Sequence, residues 1–342
     1  MTYNTIRSLA DVVALEELLS RPDGDLIADL ATIDGDILVL GATGKMGPTL
    51  ARMAKRAAPG KTVYAAARFS DPALVAQFES QDIVPIRVDL LDPAQVAKLP
   101  DVKNVMLMAG FKFGASNDPS RTWAMNTLLP GQVAGALRDR RLVTFSTGCV
   151  YPFVAVASGG SVESSGLTPP GEYANSCVGR ERVVSWLSAE NNTASLLFRL
   201  NYAIDLRYGV LHDIAAKVLA GASVDVSTGH VNVIWQGDAN AMALRSLLHV
   251  GTPAVPLNVT GPETVSVRAL AELFGQIMGM TPNIVGMEAP TAWLNNAGKA
   301  FGLMGYPKVS LLQMVEWTAD WLGRSMPTLS KPTGFQVRDG AY

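Results

Sequence analysis

The stretch Ile37-Leu38-Val39-Leu40-Gly41-Ala42-Thr43-Gly44-Lys45-Met46-Gly47 joins an unbroken apolar run to three regularly spaced glycines, after which apolar residues recur at Leu50, Met53 and Ala54. A short apolar run fits a strand buried on both faces, and the later spacing fits a helix, so the order is strand, glycine turn, helix. The chemistry this serves is close approach. A side chain at position 41 or 44 would block a pyrophosphate, Gly47 lets the helix pack near the strand, and the free N–H groups at the helix start face the anion. Glycines at this spacing also occur in turns that hold nothing; the place of this turn after the first strand of an alternating series is what points to a dinucleotide. Gly41, Thr43, Gly44, Lys45, Met46 and Gly47 are the expected cofactor loop.

Working outward, apolar or β-branched runs at 37–40, 63–67, 83–88, 104–108, 142–145 and 196–200 alternate with helical stretches. This is the pattern of an α/β fold, a Rossmann-type doubly wound parallel sheet. Before it, Leu9, Val12, Val13, Leu15, Leu18 and Leu19 recur at helical spacing until Pro22-Asp23-Gly24 breaks the pattern. After Leu200 the alternation weakens, with shorter elements near 223–226 and 231–235. The expected organisation is a helical extension over 1–34, a dinucleotide-binding domain over 35–200 to which 230–262 returns, a smaller C-terminal substrate lobe from 201–229 and 263–330, and a tail over 331–342.

Charge and composition exclude several functions. With 28 Lys and Arg against 30 Asp and Glu, the chain lacks the basic excess that nucleic-acid binding requires. Cys149 and Cys177 are the only cysteines and form neither a Cys-x-x-Cys pair nor a disulfide framework, which fits a reducing, cytoplasmic setting. Asp11, Glu16 and Glu17 interrupt the N-terminal apolar residues, so no secretory leader is expected. No apolar run approaches the ~18 residues of a membrane span, so no membrane partner is expected. His212, His230 and His249 lie too far apart for a helical metal pair, and no metal site is expected.

The strand at 63–67 ends at Arg68 without the acid that would accept the ribose 2′-hydroxyl of NAD. A guanidinium can bind a 2′-phosphate bidentately where a carboxylate would repel it, so Arg68, with Lys45, favours NADP over NAD. The alternative is a solvated arginine at a strand end.

Further motifs follow in order. They are Asp89-Leu90 after the third strand, Ala109-Gly110 after the fourth, Asn126 in the next helix, Ser146-Thr147-Gly148-Cys149-Val150-Tyr151 after the fifth, and Tyr173 with Ser176 and Glu181. The series continues through Leu200-Asn201-Tyr202, Trp235-Gln236-Gly237-Asp238-Ala239, Leu257-Asn258-Val259-Thr260-Gly261 and Ser266-Val267-Arg268-Ala269-Leu270. With the glycine loop, this order resembles the extended short-chain dehydrogenase/reductase family of sugar epimerases and dehydratases, over about residues 36–325. The resemblance implies NAD(P) as cofactor. Asp89 and Leu90 would border the adenine, Ala109 and Gly110 the nicotinamide-side ribose, and Thr147 and Tyr173 the reacting carbon. A hydroxyl at Thr147 can hold a substrate oxygen, and a phenol at Tyr173 can exchange its proton as hydride moves. Family members often pair through the helices that carry the tyrosine, so a homodimer is compatible.

One position departs from the family. Its motif is Tyr-x-x-x-Lys, whereas this chain reads Tyr173-Ala174-Asn175-Ser176-Cys177. The lysine binds the nicotinamide ribose and lowers the tyrosine pKa; a cysteine does neither well. An unassisted phenol suits proton donation and makes a poor base, so alcohol oxidation should suffer most. Cys177 is nonetheless expected beside the cofactor. Arg180, two turns along, is far for a direct contact with Tyr173, and Lys112, in the loop after Ala109-Gly110, is the better substitute cation.

Basic residues are sparse between 201 and 330, which argues against a diphosphate-rich site and toward a sugar or sugar-acid derivative. Lys112, Thr147, Asn201 and Tyr202 are the expected substrate contacts. Two functions stand side by side: an NAD(P)-dependent oxidoreductase, epimerase or dehydratase on a sugar or sugar-derived substrate, free or nucleotide-bearing, and a cofactor-binding regulatory or scaffold protein whose catalysis is impaired. Thr147 and Tyr173 favour the first, Cys177 the second.

Overall fold

The structure is a computed structural model that describes residues 6–331 and 333–341. Seven strands form the central sheet: β1 (Ile37–Leu40), β2 (Val63–Ala67), β3 (Val84–Arg87), β4 (Asn104–Leu107), β5 (Arg141–Thr147), β6 (Ser195–Leu200) and β7 (Val255–Val259). Their spatial order is β7-β6-β5-β4-β1-β2-β3, every pair parallel. β1 and β4 are buried at every residue, as central strands covered on both faces must be. β3 is shorter than its apolar run because it is an edge: Val84 is exposed, and Pro85, with no N–H to give, is tolerated only there. The strand order reverses between β1 and β4, and that reversal opens a crevice at the carboxyl ends of the strands, where the glycine loop leaves β1.

The N-terminal segment is two helices, α1 (Val12–Leu19) and α2 (Gly24–Thr32), each started by an aspartate that accepts a backbone N–H, Asp11 from Ala14 and Asp23 from Leu26. The two helices serve different cores. Leu26 and Leu30 of α2 pack with Ile37 and Leu50 against the sheet. Leu15, Leu18 and Leu19 of α1 join Trp235, Trp317 and Trp321 in the core of the small lobe. Arginines tie the segment down, Arg56 and Arg207 to Glu17 and Glu16, Arg245 to Asp29.

α3 (Gly47–Ala57) follows the glycine loop and α4 (Glu172–Glu190) follows β5. The small lobe is built on α5 (Val210–Leu219), α6 (Val267–Met278) and α7 (Leu311–Gly323), with Ser223–Asp225 paired to Asn283–Val285. The C-terminal segment then returns across the face of the molecule without regular structure. Leu329 donates to the Arg207 carbonyl, Phe335 is buried in the small-lobe core, and Arg338 binds the Thr291 carbonyl and hydroxyl. Among the described residues no helix is long and apolar enough to cross a membrane.

Candidate functional site

Two cavities lie along the crevice and share Gly41, Gly44 and Met108. The outer one, about 240 Å³, is lined by Thr43, Arg68, Asp89, Leu90, Ala109 and Gly110. The inner one, about 300 Å³, carries Lys45, Met46, Gly47, Lys112, Thr147, Tyr173, Asn201 and Tyr202. The expected cofactor and substrate residues, Cys177 excepted, thus fall into two adjoining groups, with the glycine loop as their hinge.

The loop is fixed by steric need. Gly41 sits at φ +82°, and a Cβ there would lie 2.7 Å from the Ala109 nitrogen. A Cβ on Gly47 would lie 2.2 Å from the Ala42 carbonyl oxygen, so α3 packs onto β1 as closely as a glycine allows. Gly44 differs: its Cβ would meet only the Gly41 oxygen, at 3.4 Å, and it stays exposed to both cavities. Among the described residues no side chain caps the start of α3, which leaves that end of the helix open to an anion. The elongated, glycine-floored pair of cavities therefore fits a dinucleotide.

Thr147 ends β5, and Tyr173 stands in the first turn of α4, joined to Thr147 by a side-chain hydrogen bond. Burial pushes the Tyr173 phenol well above its ordinary range, and Cys177 and Cys149 add to the rise. Arg180 and the bond from Thr147 pull the other way. Behind the pair lies a buried network. Ser146 donates to Glu181 at 2.5 Å, Glu181 receives Arg199 through Nε at 3.0 and 3.1 Å and through the terminal nitrogen at 2.6 Å, and Arg199 also donates to the Tyr151 hydroxyl. The network ties β5, α4 and β6 together directly behind Thr147.

Asn126 locks the loop after β4. Its oxygen accepts from the Phe111 N–H at 2.8 Å, and its nitrogen donates to the Phe111 carbonyl at 2.8 Å and to Ser176 at 2.9 Å. That bracing delivers Lys112, whose ammonium lies 5.8 Å from the Tyr173 ring centre and donates to the Thr333 carbonyl at 3.3 Å. Arg180 spends its donors on the Asn126 and Phe145 carbonyls and on the Asn126 side chain.

Two side chains stand elsewhere than the sequence implied. Cys177 lines neither cavity: it is fully buried with Val150, Tyr151 and Val178 beneath Tyr173, because one helical turn turns that position toward the 148–151 segment, and burial raises its thiol pKa. Lys45 does not stand with Arg68. It turns the other way, donates to the Ala203 carbonyl at 2.8 Å and covers the Tyr208 ring at 4.2 Å. Two wall residues, Tyr208 and Thr333, went unrecognised in the sequence. Neither belongs to a motif, and Thr333 sits in a segment without periodicity. Among the described residues no group of three His, Cys, Asp or Glu comes together to hold a metal.

Known proteins agree with this architecture. A UDP-glucose 4-epimerase from Thermus thermophilus, solved with NAD, superposes with a TM-score of 0.68 at 20% identity, over 83% of this chain and 98% of that one. A UDP-glucuronic acid 4-epimerase from Bacillus cereus, solved with UDP-glucuronic acid and NAD, gives 0.68 at 18% identity over 85% and 99%. A dTDP-glucose 4,6-dehydratase from Streptomyces venezuelae, solved with NAD bound, gives 0.71 at 18% over 84% and 97%. At these identities the likeness shows the fold. No curated protein matches the sequence. The model of the NAD dependent epimerase/dehydratase family matches residues 37–251, well over half of the chain, and the chain belongs to that family.

Proposed function

We propose that the protein is an NAD(P)-dependent oxidoreductase, epimerase or dehydratase acting on a sugar-derived substrate, with NADP preferred. The observation that carries the reading is the Thr147–Tyr173 hydroxyl pair on the wall of a cavity that continues past the glycine loop to Arg68. The neighbours named above were solved with NAD, which supports a dinucleotide here.

The glycine loop and the start of α3 would hold the pyrophosphate. Asp89 and Leu90 would border the adenine, Ala109 and Gly110 the inner ribose, and Arg68 the 2′-phosphate. The bound dinucleotide supplies hydride exchange at the substrate carbon. The rest falls to side chains. Thr147 holds the substrate oxygen. Tyr173, protonated at neutral pH because of its burial, gives that oxygen a proton from Oη. Asn201 lines the same cavity, and its buried amide nitrogen has no hydrogen-bond partner among the described residues, so a second substrate hydroxyl would satisfy it.

A second copy of the chain is the partner we propose for the apolar face that exposes Trp123 and Leu128 beside α4, the helix through which relatives often pair. Sedimentation of wild type against Leu128→Glu tests it. A second reading, a dinucleotide-binding protein with impaired catalysis, draws on Cys177 and the high Tyr173 pKa. Substrate turnover in wild type and Tyr173→Phe, each saturated with dinucleotide, separates the two.

A further inference from the structure

Two lysines share the inner wall with the hydroxyl pair, and they approach from different elements. Lys45 comes from the glycine loop and Lys112 from the loop after β4. The protein contacts of Lys45 are a backbone carbonyl and the Tyr208 ring; among the described residues it touches no carboxylate. The neighbouring acids are already engaged. Asp205 is held through both oxygens by Arg207 at 3.0 and 2.8 Å, and Asp213 receives the N–H and hydroxyl of Thr333 at 2.7 and 2.6 Å. The two ammonium groups repel each other, and burial lowers the pKa of both, that of Lys45 to about 8. Confined cations of like charge gain most from an anion that enters between them.

Size narrows the anion further. Binding pockets for small molecules run from roughly 300 to 1,000 Å³. The inner cavity, about 300 Å³, stands at the low end and must also take the nicotinamide end of a dinucleotide. Thr333 closes one side of it, fixed from both Asp213 and Lys112. Little room is left for a nucleoside diphosphate. Asn201 lines the same wall, and its amide nitrogen has no hydrogen-bond partner among the described residues, a need that a ligand oxygen would meet.

We infer that the substrate is a hydroxy acid of monosaccharide size, with its carboxylate between Lys45 and Lys112 and one of its hydroxyls at Thr147 and Tyr173. The inference rests on the dinucleotide reading above, so the test begins there. Full-length protein is titrated with NADP and NAD, then, saturated with the tighter one, with glucuronate, galacturonate and gluconate, with glucose, galactose and sorbitol, and with UDP-glucose and UDP-glucuronate. At least one free acid should bind ten times or more tighter than its neutral counterpart, the worth of about one charge-assisted hydrogen bond. Lys45→Gln and Lys112→Gln should each erase most of that preference, by a factor clearly larger than any accompanying change in dinucleotide affinity. Acid affinity should also decline above about pH 8, where Lys45 loses its proton. Equal binding of acids and neutral sugars, tighter binding of a nucleotide sugar, no binding of any free acid, or a loss of dinucleotide affinity in Lys45→Gln as large as the loss for acids would each overturn the inference. Absence of dinucleotide binding in the first titration would instead remove the functional reading itself.

Discussion

Lys112 holds its ammonium 5.8 Å from the centre of the Tyr173 ring although it belongs to another element, the loop braced by Asn126. Cys177, one helical turn beyond Tyr173, lies under the ring as a buried thiol. The cation near the ring therefore comes from across the cavity, while Arg180, from the same helix, supplies the positive charge that pulls the phenol's pKa down against its burial.

That balance predicts a pH profile. Burial prevails, so the phenol stays protonated past its ordinary value of 10.0. Oxidation of an alcohol, which needs the phenolate as base, should rise with pH without levelling off below 10, whereas carbonyl reduction, which needs the phenol as acid, should stay flat across neutral pH. Lys112→Gln should depress oxidation by about tenfold or more and leave reduction less affected. Rates against pH in both directions check this; an oxidation plateau near neutrality would contradict it.

The glycine loop predicts a contrast between neighbours. Gly44→Ala should fold normally, since its Cβ meets nothing closer than 3.4 Å, and Gly44→Asp should fold but lose dinucleotide binding by placing a carboxylate where the pyrophosphate lies. Gly47→Ala should instead fail in folding, because the added carbon has no place beside Ala42. Thermal unfolding combined with dinucleotide titration separates the two outcomes. Intact dinucleotide affinity in folded Gly44→Asp would place the ligand elsewhere.

Arg68 predicts cofactor preference. One charge-assisted phosphate contact is worth roughly 1.5–3 kcal/mol, about ten- to a hundredfold in affinity. NADP should bind that much tighter than NAD, and Arg68→Ala should bring the two together. Because Asp89 faces the same outer cavity, Asp89→Asn should widen the preference. Calorimetry with both nucleotides decides it.

The Glu181–Arg199 pair predicts stability. Both side chains are almost wholly buried, so removing one leaves the other charged and unpaired. Glu181→Ala should cost about 3–5 kcal/mol in denaturant unfolding. A loss below ~1 kcal/mol would mean that the network can rearrange without the carboxylate.

What the sequence made legible follows from where local constraint is strong. Gly41 and Gly47 are required by backbone approach, a demand that leaves a fixed residue type behind, so the glycine turn and the alternating strands were readable. Lys45 was readable as a loop residue but not in its direction, because the distant Ala203 carbonyl and Tyr208 ring decide where its side chain goes. The helical spacing in the first 34 residues was plain, while the packing of α1 and α2 into separate cores depends on contacts hundreds of residues away. Thr333 left no trace: a segment held by Asp213, Arg207 and buried Phe335 needs no period of its own.

The central claim, that Tyr173 is the proton donor of a dinucleotide-dependent reaction in the inner cavity, is tested most directly by substrate conversion with saturating dinucleotide in wild type and Tyr173→Phe, followed by nicotinamide absorbance and product analysis. The predicted result is conversion by wild type and a ~10²–10⁴-fold slower variant whose dinucleotide affinity is unchanged. Equal rates in the two proteins would contradict the claim.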